Sequence, residues 1–142
     1  KTKKIILMIQ KEVAQRICEK EKMSILSLSV QFYAMPKILF YVSKGSFFPE
    51  PKVDSAVIEI TPNKEILTDS EKFFKVIKAG FSSPRKLLAS NLAENLDMNK
   101  ENIKEILRKF EINEKSRAED LTIQDWINLS NLETQSPSKV RR

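Results

Sequence analysis

Ile5-Ile6-Leu7-Met8-Ile9, followed at once by Gln10-Lys11-Glu12-Val13-Ala14-Gln15-Arg16-Ile17, is the stretch that decides the fold class. Its first five residues are a β-branched and aliphatic run of strand length without polar alternation, the pattern of a strand buried on both faces of a parallel sheet. A short buried helix is the competing reading. Val13, Ala14 and Ile17 then fall at helical spacing among charges, which predicts an amphipathic helix over 10–19. Strand followed directly by helix is an α/β signature.

Downstream, Ser24 to Ala34 fits partial alternation and a helical face about equally, with helix the reading adopted. Pro36 interrupts, and Ile38 to Val42 then reads as a strand, as does Ala56 to Ile60 with Ala56, Ile58 and Ile60 on one face. Between these strands lies the loop Gly45 to Asp54, where Pro49 and Pro51 flank Glu50 and hold the backbone stiff around Phe47 and Phe48. Taken alone, the two rings favour a packing role against the sheet core, because aromatic side chains usually serve packing.

From Pro62 onward the pattern turns helical, with residues 63–67 as a linker. Thr68 and Glu71 form a capping box that opens a helix burying Phe73, Phe74, Val76, Ile77 and Phe81. Ser83 as N-cap with Pro84 at the first helical position starts the next, with Leu87, Leu88, Asn91, Leu92 and Leu96 on one stripe. A third runs from Asn99, burying Ile103, Ile106, Leu107 and Phe110 and ending at Asn113, which takes the left-handed cap. Thr122 with Asp125 caps a fourth, carrying Trp126, Ile127, Leu129 and Leu132. Four short amphipathic helices make a compact bundle, and residues 134–142, ending in Lys139, Arg141 and Arg142, are expected to form a disordered basic tail.

The bulk numbers exclude several chemistries. Gly45 and Gly80 are the only glycines in 142 residues, so neither a dinucleotide fingerprint nor a P-loop is encoded. There is no histidine and one cysteine, Cys18, which removes His-containing zinc sites, Ser-His and Cys-His catalysis, and disulfides. No metal is expected. The apolar runs are shorter than the roughly 20 residues of a membrane span, and a soluble, cytoplasmic protein is the expectation. The net charge of +6 is uneven: residues 1–62 hold 10 basic and 6 acidic side chains, residues 63–133 hold 12 and 13, and residues 134–142 add three basic ones. Charge by itself is therefore weak evidence for a nucleic-acid surface.

Candidate chemistry is sparse. Asp54 and Glu12 are lone carboxylates beside Lys52 and Lys11, a pattern more often of surface ion pairs than of catalysis. Arg85-Lys86 in a first helical turn opposes the macrodipole, and with Lys75 and Lys78 the pair could form a phosphate-contacting ridge, against ordinary exposed basic residues. The balanced charges of Arg117-Ala118-Glu119-Asp120-Leu121 favour a structural turn over an RNA contact.

These segments recur together in one family. The Gln10 to Ile17 segment, the run Phe47-Phe48-Pro49-Glu50-Pro51-Lys52-Val53-Asp54-Ser55-Ala56-Val57, the run Phe81-Ser82-Ser83-Pro84-Arg85-Lys86-Leu87, and Arg117 to Leu121 resemble, in order, elements of the KsgA family of rRNA adenine N6,N6-dimethyltransferases. Pro84 departs from the pattern, standing where many relatives carry the first Arg of an Arg-Arg-Lys run. The resemblance implies the C-terminal part of a Rossmann-like methyltransferase domain (residues 1–62) followed by a small all-α helical domain (residues 63–133). It further implies S-adenosylmethionine-dependent dimethylation of two adjacent adenosines near the 3′ end of 16S rRNA, with the small ribosomal subunit as partner. By motif position Phe47 becomes a stacking platform for the target adenine, reversing the packing reading, while Phe48 stays a core residue. Lys52, Lys78, Arg85 and Lys86 are the candidate RNA contacts. The family's Gly-rich donor loop, acidic ribose-binding residue and Asn-Leu-Pro-Tyr loop belong before Ile5, so the donor-binding half is expected to be missing and the chain alone to be inactive. Two other readings stay open, a non-catalytic ribosome-binding module and a 23S rRNA methyltransferase of the resistance type.

Overall fold

The structure, a computed structural model, describes residues 3–134; the expected basic tail lies outside the described residues apart from Thr134. Contacts divide the chain into two compact units, Lys1–Ile66 and Leu67–Arg142.

The first unit holds strand β1 (Ile5–Gln10), helices α1 (Lys11–Cys18) and α2 (Ile25–Tyr33), and strands β2 (Ala34–Val42) and β3 (Ser55–Pro62). The three strands form one sheet in the order β1-β3-β2, and both pairings are antiparallel. Against the expected parallel, doubly buried strand, the one pairing β1 makes among the described residues is antiparallel; Ile6 is 55 % and Met8 52 % exposed there, and of the run only Ile9 packs on the core of Ala14, Ala56 and Ile58. A continuous apolar run carries no information about strand direction. β3 returns from the aromatic loop and lies antiparallel between the other two, so α1 covers a patch of one face and β1 stays an edge among the described residues.

α2 resolves as a helix because Ser24 and Ser27 cap it reciprocally: the Ser24 hydroxyl accepts the Ser27 N–H at 3.2 Å and the Ser27 hydroxyl accepts the Ser24 N–H at 2.8 Å. Its buried face is Leu28 and Phe32, one turn apart. The Gln31 amide donates to the carbonyls of Ile17 and Glu19, each at 2.8 Å, fastening α2 to the end of α1. Pro36 does not interrupt the following strand. It sits opposite Ile60 inside β2, an edge strand, where a missing N–H is tolerated. A register irregularity between Ile38 and Phe40 bends that edge.

The second unit holds α3 (Ser70–Gly80), α4 (Leu88–Leu96), α5 (Lys100–Lys109) and α6 (Ile123–Thr134), around Phe73, Ile77, Leu88, Leu92, Leu107 and Trp126. Phe81 stacks on Trp126 at 5.6 Å between centroids. The caps at Asn99 and Thr122 form: Asn99 Oδ1 accepts the Glu101 N–H at 2.7 Å, and Thr122 and Asp125 exchange N–H to side-chain bonds at 3.1 Å. Three other expectations shift. Asp69, not Thr68, caps α3, accepting the Glu71 N–H at 2.8 Å, because the Thr68 hydroxyl is bonded to the Asn131 side chain. Ser83-Pro84 does not start a helix. The Lys86 N–H donates to the Ser83 carbonyl at 2.9 Å, closing a turn with Pro84 at its second position, and α4 begins at Leu88. The left-handed residue after α5 is Glu111 (φ 60°), while Asn113 instead accepts the Lys115 N–H in a turn.

Candidate functional site

The loop between β2 and β3 is built from its anchors. At its entrance Ser43 accepts the Gly45 N–H at 3.2 Å and opens a short 3-10 turn over Lys44–Ser46. At its exit Asp54 reaches back, its carboxylate accepting the Lys44 N–H at 2.9 Å while its main-chain carbonyl accepts the Lys11 N–H at 2.9 Å. One residue therefore holds the start of β3, the loop entrance and the uncapped first turn of α1. Gln10 supplies no side-chain cap to that helix, so the Asp54 carbonyl meets one of its open donors.

Held this way, the loop shows its two phenyl rings differently. Phe47 is half-buried in extended backbone (φ −116°, ψ 153°). Phe48 is 100 % exposed, which overturns its assignment to the core. Phe47, Phe48 and Pro49 follow the 3-10 turn as a bend, and of the two rings it is the one at 48 that stands in water.

Beside the loop, Lys11, Lys44 and Lys52 line a recess of about 400 Å³ with Glu12, Gln15, Val53 and Asp54. The Lys11 ammonium stands 5.3 Å from the Tyr41 ring centroid, and the Gln15 amide donates to the Tyr41 hydroxyl at 3.3 Å. Glu12 and Asp54 thus face a lysine-rich recess, and the Asp54 carboxylate is spent on a structural N–H; neither is set up as an acid or base. Burial pushes the Cys18 thiol above the ordinary range against the opposing effects of Lys20 and the Ile38 backbone, which disfavours its thiolate.

In the helical unit the expected basic ridge is divided. Arg85 and Lys86 line a recess of about 780 Å³ together with Lys100 and Arg117, and the Lys86 ammonium meets Glu94 at 3.4 Å. Lys75 and Lys78 line a different recess with Glu71, Phe74 and Asn95. Arg85 and Lys86 sit in the turn just before α4 and not within its first turn. Reading the sequence missed Lys100 and Arg117 as neighbours of Arg85; only the fold brings them together. The Arg117 to Leu121 segment does form a structural turn, with the Asp120 carboxylate accepting the Arg117 N–H at 2.9 Å.

The profile of the ribosomal RNA adenine dimethylase family matches residues 1–135. The chain belongs to that family. Among its relatives, ribosomal RNA small subunit methyltransferase A of Bacillus licheniformis is 42% identical over 137 residues, covering 90% of this chain and 47% of the relative. The enzyme of the same name from Fusobacterium nucleatum is 41% identical over 129 residues, covering 87% and 48%. The chain thus spans about half the length of these curated relatives, matching their C-terminal part. A dimethyladenosine transferase from Plasmodium falciparum superposes with TM-score 0.74 at 22% identity, covering 94% of this chain and 57% of that one. The 23S rRNA methyltransferase ErmE gives 0.71 at 16% identity, covering 91% and 54%. The fold of this family member is accordingly that of the C-terminal part of a Rossmann-like methyltransferase domain followed by a small helical domain. No helix of the described residues is long and apolar enough to cross a membrane, and they contain no group of three or more His, Cys, Asp or Glu that could hold a metal.

Proposed function

We propose that this chain is the RNA-facing part of an enzyme that dimethylates two adjacent adenosines near the 3′ end of 16S rRNA during small-subunit assembly. The observation that carries the reading is the Asp54-anchored aromatic-proline loop, stiff, flanked by lysines and belonging to an rRNA adenine dimethylase. Phe47 is the surface against which the unstacked target adenine rests, and Lys52 contacts the adjoining backbone. In the helical unit Arg85 and Lys86, joined by Lys100 and Arg117, take RNA phosphates, with Lys78 in a separate contact; phosphate contacts fix register and carry no sequence information. The small-subunit names of relatives at 42% and 41% identity favour 16S over the 23S target of ErmE, whose likeness is one of fold.

S-adenosylmethionine is the methyl donor this activity requires, and the residues here do not fit it. Gly80 is packed against Trp126 and Leu88, and the other glycine, Gly45 in a 3-10 turn, does not by itself make a Gly-rich cradle. Phe47 orients a base, whereas activation of its amine needs groups outside these residues.

The test is a chimera in which these residues replace the matching half of the Bacillus licheniformis relative. The chimera is expected to methylate small-subunit rRNA, Phe47→Ala to lose at least about tenfold in rate, and Phe47→Tyr to retain most of it. Equal methylation by the Phe47→Ala chimera removes Phe47 from the site. Calorimetric titration of S-adenosylmethionine into the 142-residue chain should give no heat, and measurable binding would place a donor site within it.

A further inference from the structure

Phe48 is not packed among the described residues. It is fully exposed, whereas the next most open large apolar side chain among the described residues, Met35, is 66 % exposed. Its position is nonetheless tightly defined. Pro49 and Pro51 restrict the backbone that follows, and Asp54 and Ser43 fasten the loop ends through bonds of 2.9 and 3.2 Å. A phenyl ring presented bare on a stiff loop is preorganised for stacking, since little freedom remains to be lost on binding.

The surroundings decide what it stacks on. Lys44 and Lys52 bracket the loop, and with Lys11 they line the recess at its foot. Aromatic rings interleaved with cations are the pattern of single-stranded nucleic-acid binding, in which bases stack on rings and lysines follow the phosphates. A protein partner reached through apolar contact alone would not call for a recess lined by three lysines at the foot of the loop. Phe47 is half-buried and Phe48 bare, so the second ring does not duplicate the first.

We propose that Phe48 is a second stacking surface, receiving an unpaired base of single-stranded RNA other than the one at Phe47, with Lys11, Lys44 and Lys52 taking the adjoining phosphates. This rests on the reading of the loop as RNA-facing.

Binding of the 142-residue chain to a short fluorescein-labelled single-stranded RNA, followed by anisotropy, tests it. Because Phe48 is bare, its variants fold as the parent does, which unchanged circular dichroism verifies. Phe48→Leu, apolar but without a ring, should weaken binding about 5- to 150-fold, and Phe48→Tyr should restore it. Phe48→Leu should leave the salt dependence unchanged, whereas Lys44→Ala and Lys52→Ala should each reduce the slope of log affinity against log salt by about 0.7. Irradiation with an RNA carrying 5-iodouridine should attach a nucleotide to Phe48, located by mass spectrometry.

Equal affinity of Phe48→Leu and the parent overturns the proposal. So does a Phe48→Leu variant whose only change is in self-association, seen by sedimentation; that would make the ring a protein contact. If Phe47→Ala weakens RNA binding and Phe48→Leu does not, this inference fails while the functional reading stands. If the parent chain binds no RNA, both fail. If Phe48 proves necessary for RNA binding while the chimera does not methylate, the inference survives and the catalytic reading falls.

Discussion

Gly80, the last residue of α3, shows how tightly single positions are held in the helical unit. A Cβ built there would lie 2.6 Å from Trp126 Cη2 and 3.0 Å from Leu88 Cδ1, and both side chains are completely buried. Neither neighbour has room to withdraw, since Trp126 is stacked on Phe81 and Leu88 opens α4. Gly80→Ala should therefore destabilise the unit by about 1–2 kcal/mol, overpacking of about 1–3 kcal/mol exceeding a helix-propensity gain of at most about 1 kcal/mol at a terminal position. A lower urea midpoint by Trp126 fluorescence checks this, and an unchanged midpoint would mean the rings relax freely. The same scale explains why Phe48 was misplaced by sequence reading. Two adjacent phenylalanines are chemically alike, and which one faces water depends on how the bend of the loop turns each ring. Composition does not carry that.

Element boundaries were legible where the partner is local. Asn99 and Thr122 cap helices through residues two or three positions on, so the polar pattern contains the answer. Thr68 and Ser83 have equally good cap chemistry, but contacts further along the chain decide the local structure: the Thr68 hydroxyl bonds Asn131, and the Ser83 main chain is tied to buried Asn91, whose amide its carbonyl accepts at 2.9 Å. That amide also donates to the Gly80 carbonyl at 2.8 Å, holding the connection between α3 and α4 as a turn. The aromatic loop depends on a comparable bond whose two halves can be separated. Asp54→Ala removes the acceptor for the Lys44 N–H and leaves the carbonyl that serves Lys11, so it should cost about 0.5–1.5 kcal/mol. Asp54→Asn keeps an acceptor oxygen and should cost less. Amide hydrogen exchange distinguishes the two: protection at Lys44 should fall in the Ala variant while that at Lys11 persists. Loss of protection at both would show that the side chain supports the whole base of the loop, and loss at neither would remove it as an anchor.

At the scale of the whole chain, the change from strand to helical periodicity after Pro62 was readable, and so was the identity of the apolar residues in each part. Strand direction was not, because Ile5 to Ile9 states only that a strand is apolar. The division into Lys1–Ile66 and Leu67–Arg142 has an energetic counterpart. The helical unit encloses Phe73, Ile77, Leu88, Leu107 and Trp126 without access to water, while β1 of the other unit leaves Ile5 to Met8 each at least 40 % exposed. Hydrophobic stabilisation follows apolar area removed from water, so the sheet unit gains less for each apolar residue it holds. Two units of unequal stability unfold in separate steps rather than as one cooperative event. Trp126 is the only tryptophan and lies in the helical unit, so its fluorescence reports that unit alone, whereas far-ultraviolet circular dichroism reports both. In a urea titration the dichroism signal should therefore begin to fall at lower denaturant than the fluorescence does. The piece comprising residues 67–142 should retain the fluorescence transition when made by itself. Coincident curves for the full chain, together with loss of the transition in the isolated piece, would show that the helical core depends on the sheet unit and that the two parts fold as one.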